Sequence, residues 1–306
     1  MNILVISGGI SSERKISLIS AGEVKKALKK YGHAIQLFDL KLGLKALEKL
    51  IPSFDLIFPV LHGEEGEGGN LQKFLQQQQV PFVDGDFKGF KQGWYKIPFK
   101  KFCDQNRITT APWKKVGKAE DVIKFGFPCV LKASSGGSSR EVIILKSPQQ
   151  LNLTSCKKLF QGKDALMVEK YLPGVEVTVG ILNNQALPVI EIIPPEGKWF
   201  DYKNKYAGTT KEVPFAPSVD PKIQQQIQKT ALNIHRKLNL GSYSRIDFIV
   251  SDSYFHLEGV KLTPYVLEVN TIPGFTPNSL FPKAAKAAGL NFEQLVEKLV
   301  TLSFIK

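Results

Sequence analysis

The segment Asn2-Ile3-Leu4-Val5-Ile6 is short, apolar and rich in branched side chains, and it runs directly into Ser7-Gly8-Gly9. A continuous apolar run ending at glycine reads as a strand covered on both faces, the habit of parallel sheets. A helical pattern follows: Ile16, Ile19, Val24, Ala27, Leu28 and Tyr31 fall near helical spacing. Ser11 and Ser12 are its N-cap candidates, and Gly32 stops it. Ala34–Phe38 and Phe54–Leu61 repeat the strand pattern. This alternation predicts a parallel α/β unit at the N-terminus, with ligand loops at the carboxyl ends of its strands. His62-Gly63-Glu64-Glu65-Gly66-Glu67-Gly68-Gly69 is such a loop, and the glutamines Gln76–Gln79 read as a helix end.

Beyond the turn at Pro112 the pattern changes. Extended segments are predicted at Cys129–Lys132, Val142–Leu145, Leu166–Glu169, Glu176–Leu182 and Ala186–Ile193, followed by an irregular stretch, Pro194–Ser218. A helix over Lys222–Leu238, strands at Tyr243–Val250 and Pro264–Asn270, and helices over Leu280–Ala288 and Phe292–Phe304 complete the chain. This part reads as α+β, and 306 residues are too many for one small core.

The net charge is +13, from 41 basic and 28 acidic residues, which favours anionic partners. The lysines are dispersed rather than gathered in a tail. Their densest stretch, Phe87 to Phe102, interleaves with aromatics. It reads as a helix with an apolar core face and solvated lysines, Lys96 excepted, rather than as a nucleic-acid surface. No nucleic acid is expected as a partner. No apolar run reaches membrane-span length, and the first residues lack a secretory pattern, so a cytoplasmic location is expected. Cys103, Cys129 and Cys156 form no metal-ligand spacing and read as reduced thiols.

Several segments carry chemistry. Lys132 ends a strand and enters Ala133-Ser134-Ser135-Gly136-Gly137-Ser138-Ser139. Such a loop brings backbone N–H groups close to phosphate oxygens, though a plain surface loop has the same composition. Glu169-Lys170-Tyr171-Leu172-Pro173-Gly174-Val175-Glu176 offers backbone, an aromatic face and carboxylates to a nucleoside; the alternative is a turn at Pro173-Gly174. Arg245-Ile246-Asp247 and Glu268-Val269-Asn270 place pairs of functional groups on one face of each strand. If the strands are neighbours, two carboxylates, an amide and a guanidinium converge, a set suited to Mg²⁺ and phosphate.

In this order, together with Gly8-Gly9-Ile10-Ser11-Ser12-Glu13-Arg14, Leu61-His62-Gly63, Asp201 to Tyr206 and Leu267 to Leu280, these segments resemble the D-alanine–D-alanine ligase family of ATP-grasp enzymes. The resemblance covers nearly the whole chain. It implies a three-domain ATP-grasp fold, with domains near 1–93, 94–173 and 174–306. It implies ATP-dependent joining of two D-alanines through an acyl phosphate for peptidoglycan precursors, and a homodimer. Glu13, Ser138 and Tyr206 would form a hydrogen-bonded group over the first D-alanine, near His62. Lys96, Lys132 and Lys205 would hold phosphates; Glu169, Tyr171 and Leu172 the adenine; Glu176 the ribose. Asp247, Glu268 and Asn270 would hold a pair of Mg²⁺ (or Mn²⁺) ions. Arg245 and the Gly274 N–H would stabilise an oxyanion, with Ser279 and Leu280 binding the second carboxylate. Tyr206 implies an amine rather than a hydroxy acid as second substrate.

The chain departs from the family pattern at Gly68 (usually Asp), Glu141 (a glycine), Phe82-Val83-Asp84-Gly85 (Tyr-Thr-Gly-Ser) and Tyr95 (Asp). Ser253–Thr263 reads as an insertion. A related ligase with another second substrate, or a silent basic homologue, are the alternatives these departures suggest.

Overall fold

The computed structural model describes residues 1–137, 141–196, 209–252 and 262–304. Ser138, Lys205, Tyr206 and most of the expected insertion lie outside the described residues.

The first part of the chain alternates as predicted. It contains β1 (Asn2–Ser7), α1 (Arg14–Lys30), β2 (Ala34–Asp39), α2 (Leu44–Leu50), β3 (Leu56–Pro59), α3 (Glu64–Glu67), α4 (Asn70–Gln77) and α5 (Phe87–Trp94). The strands pair in parallel in the order β2-β1-β3. Ile3, Leu4, Val5 and Ile6 are fully buried, as a strand covered on both faces requires. One expectation fails locally. Helix α1 starts at Arg14 with Glu13 at the N-cap position, so neither serine caps it; Ser11 Oγ instead accepts the Glu13 N–H at 3.2 Å.

The single helix expected over Phe87–Phe102 is two helices, α5 and α6 (Lys96–Gln105), broken at Tyr95. Pro98 explains the break. Its ring would clash with the carbonyl four residues earlier, that of Trp94, and it has no N–H to bond there. Tyr95 takes an extended conformation, and its carbonyl accepts the Phe99 N–H at 2.9 Å.

Next come β4 (Trp113–Val116), α7 (Ala119–Phe125), β5 (Cys129–Ala133), β6 (Val142–Leu145), α8 (Thr154–Gln161) and β7 (Leu166–Lys170), an antiparallel sheet in the order β4-β7-β5-β6 with its helices. A third sheet runs β11-β10-β8-β12-β13, made of β8 (Val175–Leu182), β10 (Ile190–Ile193), β11 (Lys211–Pro214), β12 (Tyr243–Asp252) and β13 (Leu262–Asn270). The strand expected over Ala186–Ile193 is divided into β9 (Gln185–Ala186), which pairs with β8, and β10. Pro188 between them supplies no N–H to a ladder. The stretch read as irregular contains β11, an edge strand whose Lys-Glu-Val-Pro sequence has no strand periodicity.

Helix α9 (Pro221–Leu238) packs on this third sheet. Helices α10 (Leu280–Ala287) and α11 (Phe292–Leu302) turn back to the first sheet, sharing a core with Ile3, Val5, Leu28 and Phe58. Phe275, fully buried, meets Phe58 edge to face at 6.0 Å between ring centres. Burying such a side chain contributes roughly 1.5–3 kcal/mol, and here it anchors the turn between β13 and α10.

His235 on α9 is buried, with Nδ1 2.8 Å from Ser244 Oγ and Nε2 3.1 Å from the Gly241 carbonyl. A neutral ring satisfies both, Nε2–H donating and Nδ1 accepting. Burial pushes its pKa down from 6.5 to about 4. The unfolded chain therefore binds a proton first as pH falls from 6.5 towards 4. Stability is lost across that window, by at most about 3.5 kcal/mol at ~1.4 kcal/mol per pH unit. The denaturant midpoint should drop between these pH values, and His235→Gln should flatten that drop. An unchanged slope in the variant would assign the acid sensitivity to other groups.

Candidate active site

Strands β12 and β13 are neighbours and pair antiparallel, Arg245 opposite Asn270 and Asp247 opposite Glu268. Directly opposed residues share a sheet face, so the four groups converge. The register then slips: Phe248 pairs with Val266, leaving Leu267 as a bulge. A bulge re-aims side chains, and here the consecutive residues Leu267 and Glu268 both line one cavity.

Arg245, 4% exposed, grips Asp247 with both arms of its fork, Nε to Oδ1 and Nη2 to Oδ2, each at 2.9 Å. Asn270 Nδ2 donates to Asp247 Oδ2 at 2.9 Å, and the hydroxyl of Thr178 on β8 donates to Oδ1. Burial alone would lower the guanidinium pKa; Asp247 outweighs it and raises it. Thr178 carries no functional signal in the sequence.

The cluster stands between two cavities. One, of about 370 Å³, is lined by Lys132, Glu169, Tyr171, Leu172, Glu176 and Asp247. The other, of about 560 Å³, is lined by Glu13, His62, Lys96, Arg245, Asn270, Gly274, Ser279 and Leu280. Glu268 lines both. The expected adenine and ribose residues thus lie on one side, and the expected D-alanine residues on the other.

Lys96 belongs to the second cavity, at the N-terminus of α6. Its Nζ donates to the Gly136 carbonyl at 2.9 Å and lies 3.5 Å from Glu268 Oε2. The loop after Lys132 passes close to Glu13: a Cβ on Gly137 would sit 3.0 Å from Glu13 Oε2. A side chain there would press on the Glu13 carboxylate, which would have to give by a few tenths of an ångström. At the far end, a Cβ on Gly274 would lie 3.0 Å from Ser279 Oγ. That hydroxyl accepts the Thr276 N–H at 3.2 Å, folding the turn against the start of α10. The Gly274 backbone is thereby held beside the free N–H groups of a helix start, an arrangement suited to anions.

Lys132 is ion-paired with Glu169, which is also 2.8 Å from Lys100 Nζ. Lys100 corrects the sequence reading. It was expected among solvated lysines, but it is 1% exposed.

For a divalent cation, the described residues offer two carboxylates and an amide rather than a cluster of three or more His, Cys, Asp or Glu. The Glu268 side chain is 41% exposed, so its carboxylate is accessible from the cavities. This donor set fits Mg²⁺, which binds through one or two carboxylates and completes its shell with phosphates and water. Among the departures, Tyr95 donates its hydroxyl to Glu64 Oε1 at 2.6 Å, linking the start of α3 to that of α6. Burial and this bond push its phenol up to about 12. Asp84 is buried and accepts the Gln72 side-chain amide at 2.9 Å. No described helix is long and apolar enough to cross a membrane.

The three sheets, with one cavity between the second and third and the other bounded also by loops of the first, form the ATP-grasp architecture. Residues 93–301 match a family profile described as D-ala D-ala ligase C-terminus. A D-alanine–D-alanine ligase of Maridesulfovibrio salexigens is 37% identical, covering 99% of this chain and 98% of that one. One of Methylacidiphilum infernorum is 38% identical over 100% and 96%. The crystal structure of a Bacillus anthracis D-alanine–D-alanine ligase complexed with ATP superposes with a TM-score of 0.83 at 28% identity, covering 100% and 98% of the two chains. The VanG D-Ala:D-Ser ligase of Enterococcus faecalis gives 0.79 at 26%, covering 99% of each. The chain belongs to the D-alanine–D-alanine ligase family.

Proposed function

We propose that this chain is an ATP-dependent ligase that joins two D-alanines to D-alanyl-D-alanine, a unit of peptidoglycan precursors, with release of ADP and phosphate. The observation that carries this reading is Glu268 at the junction of two cavities, one furnished for a nucleotide and the other for small zwitterions. The relatives named D-alanine–D-alanine ligase, aligned over nearly their full length, support it.

In this reading Lys132, Glu169, Tyr171, Leu172 and Glu176 hold ATP, assisted by Lys96 and Lys205, between units near 94–173 and 174–306. Glu13 binds the ammonium of the first D-alanine beside His62, in the unit near 1–93, with Ser138 and Tyr206 completing the group. Asp247, Glu268 and Asn270 would hold Mg²⁺ or Mn²⁺, which neutralises charge on the transferring phosphoryl group. Lys96 steers the γ-phosphate towards the first carboxylate, giving an acyl phosphate. Ser279 and Leu280 place the second carboxylate so that its amine attacks the acyl carbon. Arg245 and the Gly274 N–H stabilise the resulting oxyanion. The enzyme is expected to work in the cytoplasm as a homodimer, without nucleic acid.

The test is phosphate release from Mg-ATP, with and without D-alanine, and identification of the product by mass. Release that depends on D-alanine and yields the dipeptide is expected. ATP turnover indifferent to D-alanine would sink the assignment. A depsipeptide as the main product when D-lactate is added at pH 7 would transfer it to a ligase of altered specificity.

A further inference from the structure

Lys100 lies outside every role assigned above. Its side chain is 2% exposed, and it does not line the nucleotide cavity. Its ammonium lies 2.8 Å from Glu169 Oε2 and donates to Thr110 Oγ1. That hydroxyl donates in turn to the Val266 carbonyl at 2.8 Å, on the strand that carries Glu268 and Asn270. Lys100 therefore ties α6, β7 and β13 together at one buried point.

The charges around Glu169 do not cancel. Its Oε1 is ion-paired with Lys132 and its Oε2 with Lys100, so two ammonium groups face one carboxylate. Burial opposes ionisation of Glu169, but the two lysines outweigh it and hold its pKa at about 2. The cluster thus carries one surplus positive charge. Lys100 is enclosed, whereas the Lys132 side chain is 12% exposed and lines the cavity, so the surplus is presented through Lys132. Without Lys100, Lys132 and Glu169 would be a neutral pair, and a phosphate would compete with a buried carboxylate for the Lys132 ammonium.

We propose that Lys100 is a positioning residue of the nucleotide site: by sharing Glu169, it leaves Lys132 a net cation for the ATP phosphates. This inference rests on reading the cavity as the ATP site.

The test is calorimetric titration of Mg-ATP into the full chain. Lys100→Met should weaken binding at least tenfold in the wild-type background. It should weaken binding less than threefold in a Glu169→Gln background, where no carboxylate sequesters Lys132. The KM for D-alanine should stay unchanged. Lys132→Met controls the premise. If it binds ATP as tightly as wild type, Lys132 holds no phosphate and the inference is overturned with that role; if the wild-type chain itself binds no Mg-ATP, the functional reading fails. If Lys132→Met loses ATP while Lys100→Met stays within threefold of wild type, the inference about Lys100 alone is overturned. Equal losses from Lys100→Met in both backgrounds would make Lys100 a packing residue and overturn it as well. Should Lys100→Met not fold, Lys100→Gln, which keeps a donor for Thr110 without the charge, makes the same comparison.

Discussion

Glu268→Gln is expected to lower kcat by on the order of 10³ or more, equivalent to ~4 kcal/mol of barrier, while the protein stays folded. Glu268 sits where the two cavities meet, 3.5 Å from Lys96 and opposite Asp247 in the strand pairing. A glutamine keeps the size and one oxygen but removes the charge that an ion needs there. Because the side chain is 41% exposed, the loss of its charge should cost little stability. Thermal unfolding without nucleotide should therefore match wild type, and initial rates should collapse even at saturating Mg²⁺. Turnover near the wild-type rate under those conditions would refute the metal assignment.

Arg245→Lys is expected to cost on the order of 10²–10³ in kcat, the usual loss of a preorganised oxyanion donor. The geometry makes the exchange non-conservative. Both arms of the guanidinium bind both oxygens of Asp247 in a site that is 4% exposed for the arginine. An ammonium is a point charge and cannot reproduce the fork. The lysine would leave one Asp247 oxygen without its arginine partner and present no planar edge to an oxyanion. Measuring kcat alongside the unfolding midpoint separates the two effects. A rate loss below about tenfold, together with a lowered midpoint, would make Arg245 a structural partner of Asp247, since tenfold is only ~1.4 kcal/mol of barrier.

Much of the fold is legible in the sequence where a local pattern reports directly on burial. The apolar run Ile3 to Ile6 can only be satisfied between two covering layers, and it is. The spacing Arg245-x-Asp247 and Glu268-x-Asn270 aligns functional groups on strand faces because side chains alternate. What escaped local reading was set by partners distant in the chain. Lys100 looks like any surface lysine until β7 brings Glu169 to it and Thr110 bridges it to β13. Strand β11 has no periodicity of its own and exists because β10 offers an edge. Thr178 matters only because β8 lies beside β12. The break at Tyr95, by contrast, was available in the sequence, in Pro98 and its clash with the carbonyl four residues back.

The sequence by itself determined the parallel N-terminal sheet, the positions of most strands and helices, and the paired groups on two strands, because each follows from the order of apolar and polar residues along a few turns or a few pleats. Only the tertiary structure decided that those two strands are neighbours in register, that Glu268 joins two cavities, and that Lys100 is buried against Glu169. These depend on which surfaces meet, and burial of a charge is favourable only where an opposite charge from another part of the chain is waiting for it.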